Sequence, residues 1–448
     1  MKKLFGTDGI RGIANREPIT AETAFQIGRA GAYLFKEKED SKILIGRDTR
    51  ISGDMLESAL IAGICSLGVN VLKAGIVPTP AVAYLNKIYD ADCGIVISAS
   101  HNSYDNNGIK YIGKNGFKFS DSEEEAIEKI YFENHTKNNR PTGKNIGCIK
   151  NLPEAKDKYI KHIKATITPF LNIKGYKVVI DCANGALYKI APQIFHDLGA
   201  NVISINDEPN GININLDCGA TNTSSLQKEV LKYNAELGLA FDGDADRLIA
   251  VDEKGNIVDG DQIMAICALN LIKNKQLTNN LVITTIMSNM GFDKAIEAAG
   301  GKVIRTNIGD RYVFEKMKET NAILGGEQSG HIIFLQHGTT GDGLMSSLQL
   351  LKVIKEEGKT LSDLASVVTK YPQILLNFKT KNQKSFFENV NISKIIKDSK
   401  EELDGNGRIF IRVSGTEPLI RVLLEGEDKN KLEKISQNLK EVIEKENI

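Results

Sequence analysis

Tryptophan is absent from this 448-residue chain, and net charge is absent too, with 57 Lys and Arg set against 57 Asp and Glu. The missing tryptophan decides nothing. The cancelled charge excludes a global field that would draw the chain to nucleic acid or to a membrane surface. Neither is expected as a partner, and any anionic ligand must be held by local arginines and lysines. Long apolar runs are also lacking, so no membrane span is expected. Met1-Lys-Lys-Leu-Phe5 opens like the basic part of a secretory leader, but it passes at once into Gly6-Thr-Asp-Gly9 and Arg11. A cleavable apolar stretch is therefore not expected. The six cysteines (65, 93, 148, 182, 218 and 267) show neither paired nor metal-binding spacing. They read as reduced core residues of a cytoplasmic protein.

The chain does contain 41% hydrophobic and 25% charged residues, the balance of a soluble globular protein. Its length exceeds one ordinary core and implies three or four domains. An internal repeat supplies them. Three segments share a strand–turn–helix opening: Ile43-Leu-Ile-Gly-Arg-Asp-Thr-Arg50, Val178-Val-Ile-Asp-Cys-Ala-Asn-Gly185 and Leu281-Val-Ile-Thr-Thr-Ile-Met-Ser-Asn289. Each is followed by a helix-length stretch and a second strand, with glycine at the helix stop, as in Leu67-Gly-Val-Asn-Val-Leu72, Leu198-Gly-Ala-Asn-Val-Ile203 and Ala299-Gly-Gly-Lys-Val-Ile304. A third strand then runs into a polar loop: SASHN at 98–102, DGDADR at 242–247 and GGEQSGH at 325–331. Strands alternating with helices predict parallel βαβ units, whose ligands sit beyond the carboxyl ends of the strands. Residues 134–153, rich in Asn, Lys, Pro and Gly, read as the first connection.

Two of these loops carry recognisable chemistry. Ser100 stands on a small-residue turn after the apolar run Gly94-Ile-Val-Ile97, which exposes its hydroxyl at a strand end. Asp242, Asp244 and Asp246 alternate after Leu237-Gly-Leu-Ala-Phe241, with Arg247 beside the last. A serine, oxygen ligands for a hard cation and a guanidinium are the parts used to move a phosphoryl group. An EF-hand is excluded, because Arg247 occupies the position where that loop needs glycine. Alternate residues of an extended segment point the same way, so the three carboxylates are expected on one side.

After about residue 370 the pattern changes to a small α+β domain. Ile409-Phe-Ile-Arg-Val413 alternates as a strand, Ser414-Gly-Thr-Glu-Pro418 turns, and Leu419-Ile-Arg-Val-Leu-Leu424 returns. A final amphipathic helix places Leu432, Ile435, Leu439, Val442 and Ile443 on one face. The hairpin loop, with Arg412, Ser414, Gly415, Thr416 and Arg421, has the composition of a phosphate holder.

Taken together, Phe5-Gly-Thr-Asp-Gly-Ile-Arg11-Gly12, SASHN, DGDADR, GGEQSGH and Arg412-Val-Ser-Gly-Thr-Glu-Pro418 closely resemble the α-D-phosphohexomutase family along the whole chain. The resemblance implies three related α/β domains, each with a βαβ mixed sheet, and a smaller C-terminal α+β domain around a central cleft. The expected ranges are 1–150 with the phosphoserine loop, 151–255 with the metal-binding loop, 256–368 with the sugar-binding loop and 369–448 with the phosphate-binding loop.

It further implies that Ser100 is carried as phosphoserine. Ser100 with Asp242, Asp244 and Asp246 would hold one Mg²⁺, and Arg11 and Arg247 would neutralise the travelling phosphoryl group. His101 and Lys110 are implied as polar groups beside the serine, the lysine as a candidate proton carrier. Glu327 and Ser329 would grip sugar hydroxyls, and Gln328 between them is the form typical of the glucosamine enzymes. The implied reaction exchanges glucosamine 6-phosphate and 1-phosphate through a 1,6-bisphosphate, with glucosamine or glucose 1,6-bisphosphate as activator. Its product would serve UDP-N-acetylglucosamine and cell-wall precursor synthesis. One departure is local: Ser103 follows SASHN where family members usually have proline. Mannose or glucose phosphates as substrates, a metal-dependent phosphohydrolase and a non-catalytic sugar-phosphate binder are the competing readings. Monomer and homodimer are both left open.

Overall fold

The computed structural model describes residues 4–6, 8–133, 135–136, 140–167, 171–380, 383–413 and 419–446. They form two compact units. The first comprises Met1–Thr285 and Gly300–Val367, the second Ile286–Ala299 and Val368–Ile448.

The first unit contains three sheets. One is built from β1 (Ile10–Ile13), β2 (Lys42–Arg47), β3 (Asn70–Ile76), β4 (Cys93–Ile97), β5 (Asn106–Gly113) and β6 (Ile149–Asn151), in the order β1-β5-β4-β2-β3-β6. The next has β7 (Lys177–Asp181), β8 (Asn201–Ile205), β9 (Leu237–Phe241), β10 (Leu248–Asp252) and β11 (Ile257–Val258), ordered β11-β10-β9-β7-β8. The last has β12 (Leu281–Thr285), β13 (Lys302–Thr306), β14 (Leu324–Gly326) and β15 (Ile332–Phe334), ordered β13-β12-β14-β15.

A common four-strand pattern runs through all three, and it is the sequence repeat made visible. In each, the opening strand pairs in parallel with the second and third strands. The fourth then returns antiparallel beside the third. The third strands β4 and β9 are buried along their whole length, which is why they read as unbroken apolar runs rather than alternating ones. Each polar loop singled out above is the connection between third and fourth strands.

Packing over the first sheet is close. The helices Ala21–Tyr33 and Gly53–Cys65 cross where a Cβ on Gly63 would lie 2.2 Å from the carbonyl oxygen of Phe25. Alanine there would force the helices apart. Ile27, Leu60, Ile43, Ile45, Ile95 and Tyr111 form part of the core that this contact closes.

The first connection is not wholly irregular. Ile149–Asn151 joins the sheet as β6, parallel to β3. All three residues are exposed, so no hydrophobic period marks the strand. Cys148, just before it, is exposed, which corrects the expectation of a core position. Cys93, Cys182, Cys218 and Cys267 are buried, Cys65 is half-buried, and all six are free.

The second unit holds β16 (Gln373–Lys379), β17 (Gly407–Val413) and β18 (Leu419–Gly426) in an antiparallel sheet ordered β16-β18-β17. The final helix, Lys429–Lys445, buries Leu432, Ile435, Leu439 and Ile443 against it, with Val442 only half-buried. The helix Met290–Ala298, which follows β12 in sequence, belongs to this unit. There a Cβ on Gly291 would lie 1.8 Å from the carbonyl oxygen of Thr369.

Candidate active site

Two of the three loops of the first unit meet at Ser100. Its hydroxyl donates to Oδ2 of Asp242 across 2.7 Å and lies 3.3 Å from Nδ1 of His101. Against the exposure expected of its hydroxyl, the serine is only 1% exposed, and it adopts a left-handed backbone conformation, φ +52°, in the turn that follows β4. That conformation is uncommon for a residue with a Cβ and turns the side chain out of the strand line. Gly243 lets the loops approach so closely, because a Cβ there would lie 2.7 Å from the carbonyl oxygen of Ser100.

Asp242, Asp244 and Asp246 converge, each buried, with one carboxylate oxygen apiece within 4.8 Å of the others. The cause differs from the expected strand alternation. Residues 242–247 form a turn, with Ala245 left-handed at φ +60°, and the turn folds the three carboxylates together. Burial pushes the Asp242 carboxyl well above the usual carboxylate range, and the Asp246 and Asp244 charges push it further. Oδ1 of Asp244 and Oδ1 of Asp246 are buried with no hydrogen-bond partner among the described residues. Converging carboxylates with unpartnered buried oxygens are a donor set that suits a hard cation.

Cations surround this cluster. Lys110, on β5, places Nζ 3.1 Å from Asp244 and 3.2 Å from Asp8. Burial disfavours its charge, but the Asp244 and Asp8 carboxylates outweigh that and raise its pKa. The lysine is thus held as an ammonium. Arg11 pairs with Asp8, and Arg247 has Nε 3.8 Å from Asp246 while its backbone N–H donates to Asp242. His101 is driven the other way. Burial, then the Arg247 and Arg11 charges, lower its pKa to about 4, so the ring is neutral at physiological pH.

The third loop follows β14. The backbone N–H of Gly309 donates to Oε1 of Glu327 across 3.2 Å, and burial raises the Glu327 pKa. Ser329 is exposed and Gln328 half-buried. In the second unit, Arg412 and Arg421 are cross-strand neighbours on β17 and β18. Burial, then the Arg421 charge, lowers the Arg412 pKa. Ser414, Gly415 and Thr416 lie outside the described residues.

Family models span nearly the whole chain. Those described as phosphoglucomutase/phosphomannomutase α/β/α domains I, II and III match residues 2–138, 157–255 and 259–371. The C-terminal domain model matches 375–442. This chain belongs to the phosphoglucomutase/phosphomannomutase family. Among relatives of the family, proteins named phosphoglucosamine mutase from Acetivibrio thermocellus and Clostridium acetobutylicum are each 52% identical over 448 residues, covering 99% of both chains. The fold is that of a phosphoglucomutase/phosphomannomutase family protein from Burkholderia thailandensis, with a TM-score of 0.83 at 24% identity, covering 98% of this chain and 96% of the other. An Aspergillus fumigatus N-acetylphosphoglucosamine mutase, solved with GlcNAc-6P and magnesium, gives a TM-score of 0.71 at 15% identity, covering 98% and 95%.

Several residues at the site carried no assignment from sequence. Lys118 bridges Asp8, at 2.6 Å, and Asp310, two carboxylates distant in the chain. His331 is buried, with Nδ1 3.4 Å from Asp246 and the Gly341 N–H donating to its Nε2. The latter contact leaves Nδ1 as the proton-bearing nitrogen toward Asp246. Thr79 donates to Asp244 across 2.6 Å. Asp8 and His331 sat inside quoted motifs, so motif membership was a signal available for them. Lys118 and Asp310 had none, since only the fold pairs them.

Proposed function

We propose that this phosphohexomutase interconverts glucosamine 6-phosphate and glucosamine 1-phosphate through a phosphoserine at Ser100. The carrying observation is the Ser100 hydroxyl set 2.7 Å from Asp242 inside the three-carboxylate cluster. The glucosamine assignment is supported by Gln328 and by the names of relatives 52% identical along the full chain.

The two sugar oxygens cannot reach each other, so the phosphoryl group must rest on the enzyme. The Ser100 O–P bond breaks as O1 of glucosamine 6-phosphate bonds phosphorus, giving the 1,6-bisphosphate and freeing the serine. The bisphosphate turns over, and the O6–P bond then breaks as Ser100 Oγ takes the phosphoryl group back. Glucosamine 1-phosphate leaves, and the two half-reactions balance without water. Glucosamine or glucose 1,6-bisphosphate would restore any enzyme that has lost its phosphate.

Asp242, Asp244 and Asp246, with an oxygen on Ser100, would hold one Mg²⁺, which would supply charge neutralisation at the transferring group. Arg11 and Arg247 spread positive charge around the equatorial oxygens. Lys110, locked as an ammonium, suits proton donation and charge neutralisation more than proton abstraction. Neutral His101 hydrogen-bonds the serine oxygen. Glu327 and Ser329 grip the sugar hydroxyls, and the hairpin 412–421 holds the phosphate that is not reacting. Free thiols and an amino-sugar phosphate substrate fit a cytoplasmic setting.

A coupled assay of glucosamine, glucose and mannose 6-phosphates at equal concentration, with a trace of bisphosphate, tests the reading. The 1-phosphate isomer should accumulate fastest from glucosamine 6-phosphate. Free phosphate without isomer would make the protein a phosphohydrolase, and preference for another sugar would reassign the substrate.

A further inference from the structure

Arg50 is wholly buried, although it carries a charge and touches none of the three carboxylates. All five of its N–H donors are used. Nε donates to Asp48 across 2.9 Å. One terminal nitrogen donates to the carbonyl oxygens of Ser103 and Asn106, the other to those of Ser100 and Asn102 at 2.9 and 2.8 Å. A single guanidinium therefore gathers four carbonyls of one seven-residue loop. Nδ2 of Asn215, from the neighbouring sheet's segment, donates to two of the same carbonyls, Ser100 at 2.9 Å and Asn102 at 3.0 Å.

The same assembly reaches the amide side of Ser100. Asp48 accepts from the Ser98 hydroxyl across 2.6 Å and from the Arg50 backbone N–H at 3.0 Å. The Ser98 hydroxyl in turn accepts the Ser100 N–H at 2.9 Å. Both peptide groups flanking Ser100 are thus tied to one Asp48–Arg50 pair. Ser100 is held between them in the left-handed region, where a residue with a Cβ does not rest unaided.

We propose that Arg50, anchored by Asp48 and assisted by Asn215, is a positioning residue for phosphoryl transfer. It fixes the backbone of residues 100–106 so that the Ser100 oxygen faces the carboxylate cluster. The inference rests on the reading of Ser100 as the phosphoryl carrier. Arg50 contacts no substrate; it acts through the loop. The clamp also accounts for Ser103 in the position where proline is usual: the Ser103 carbonyl is bound by Arg50 and its hydroxyl donates to Asp105, so hydrogen bonds supply rigidity that a ring would otherwise give.

Lysine keeps the charge but cannot fork to four carbonyls. Arg50→Lys should lower kcat by about a hundredfold with KM within about threefold, the signature of a misplaced reacting group. Arg50→Ala should regain part of its kcat when guanidinium ion is added below denaturing concentrations, whereas Ser100→Ala should not. Hydrogen exchange of the peptide spanning 98–106 should accelerate at least about tenfold in Arg50→Lys while peptides from the second and third sheets stay unchanged. Should Arg50 variants fail to fold, Asn215→Ala decides, because that side chain is only half-buried. It should lower kcat by about tenfold with KM unchanged and loosen the same peptide. Wild-type kcat with unchanged exchange in the variant that folds would overturn the proposal, as would a rise in KM alone. The exchange measurement separates the two readings: wild-type protein inactive on every hexose phosphate, yet with a loop that loosens on removal of Arg50, would sink the mutase reading and leave the clamp.

Discussion

Ser100 and Asp242 lie 142 residues apart in the chain and 2.7 Å apart in the fold, hydroxyl oxygen to carboxylate oxygen. Each stands just past the third strand of its own copy of one repeated unit. Two equivalent loop positions have thus been given different side chains and turned toward each other, one presenting a serine hydroxyl and the other a cluster of three carboxylates.

Phosphate is expected on Ser100 and on no other residue. Intact mass and peptide mapping of purified protein should find an addition of about 80 Da on the peptide that contains it. Ser100→Ala should carry no phosphate and lose turnover. Full activity in that variant, with phosphate mapped reproducibly elsewhere, would end the phosphoserine mechanism.

The carboxylate cluster predicts opposite effects on stability with and without metal. Without a cation, burial and the neighbouring Asp246 and Asp244 charges disfavour the ionised form of Asp242. In chelator at neutral pH, Asp242→Asn should therefore melt a few degrees higher than wild type. Added Mg²⁺ should raise the wild-type Tm and leave the triple Asp→Asn variant of 242, 244 and 246 where it was. An equal metal-dependent shift in that variant would remove the assignment.

Much of this site was legible because its chemistry is written in contiguous motifs. Ser100 and the three aspartates could be read from loops that follow apolar strands, Glu327 came only from the family resemblance, and the repeat gave all three loops equivalent places. What stayed illegible depends on side chains meeting across distant segments. Lys118 follows a turn and carries no motif, yet the fold puts it between Asp8 and Asp310. The convergence of the aspartates was expected for the wrong reason: Ala245 in the left-handed region folds the turn, and no alanine in a sequence announces that. β6 escaped because an exposed edge strand has no apolar alternation to read.

The Lys118 bridge should be measurable. Lys118→Met removes the cation that Asp8 and Asp310 share and leaves Lys110 and Arg11 against Asp8 and His331 near Asp310. Breaking a buried pair costs about 3–5 kcal/mol, and at 21% side-chain exposure screening should reduce this to about 2–3 kcal/mol. Lys118→Met with Asp310→Asn should recover part of the loss. Denaturant unfolding that showed no interaction between the two changes would mean the bridge does not stabilise the fold.

His101 sets a pH dependence whose sign can be fixed. Its folded pKa of about 4 lies below the unfolded value of about 6.5, so the unfolded state takes up the proton first. Its contribution is constant above the unfolded value and turns against the fold as pH falls from there toward 4. Dephosphorylated wild-type protein in chelator should lose more stability between pH 7 and 5 than His101→Gln does. Equal losses would mean that the ring is not shielded as described. Histidine NMR should likewise show an imidazole that stays neutral at pH 5.5 and whose signal is lost in His101→Gln.

The hairpin of the second unit carries the last expectation. Arg412 and Arg421 are cross-strand partners, and the charge of Arg421 is among the causes that lower the Arg412 pKa. Two like charges kept side by side gain most when an anion joins them, which suits the phosphate that is not reacting. Loss of one guanidinium removes a charge-assisted contact worth roughly 1.5–3 kcal/mol. Arg421→Ala should therefore raise KM by about ten- to a hundredfold for the 6-phosphate and the 1-phosphate alike. The bisphosphate should also escape more often, since its distal phosphate has lost its holder while the sugar turns. Escape is counted as bisphosphate released per isomer formed, by ion-exchange separation of quenched reactions. An Arg421→Ala enzyme weakened toward only one monophosphate would require a second phosphate site, and a single holder serving both orientations would then be wrong.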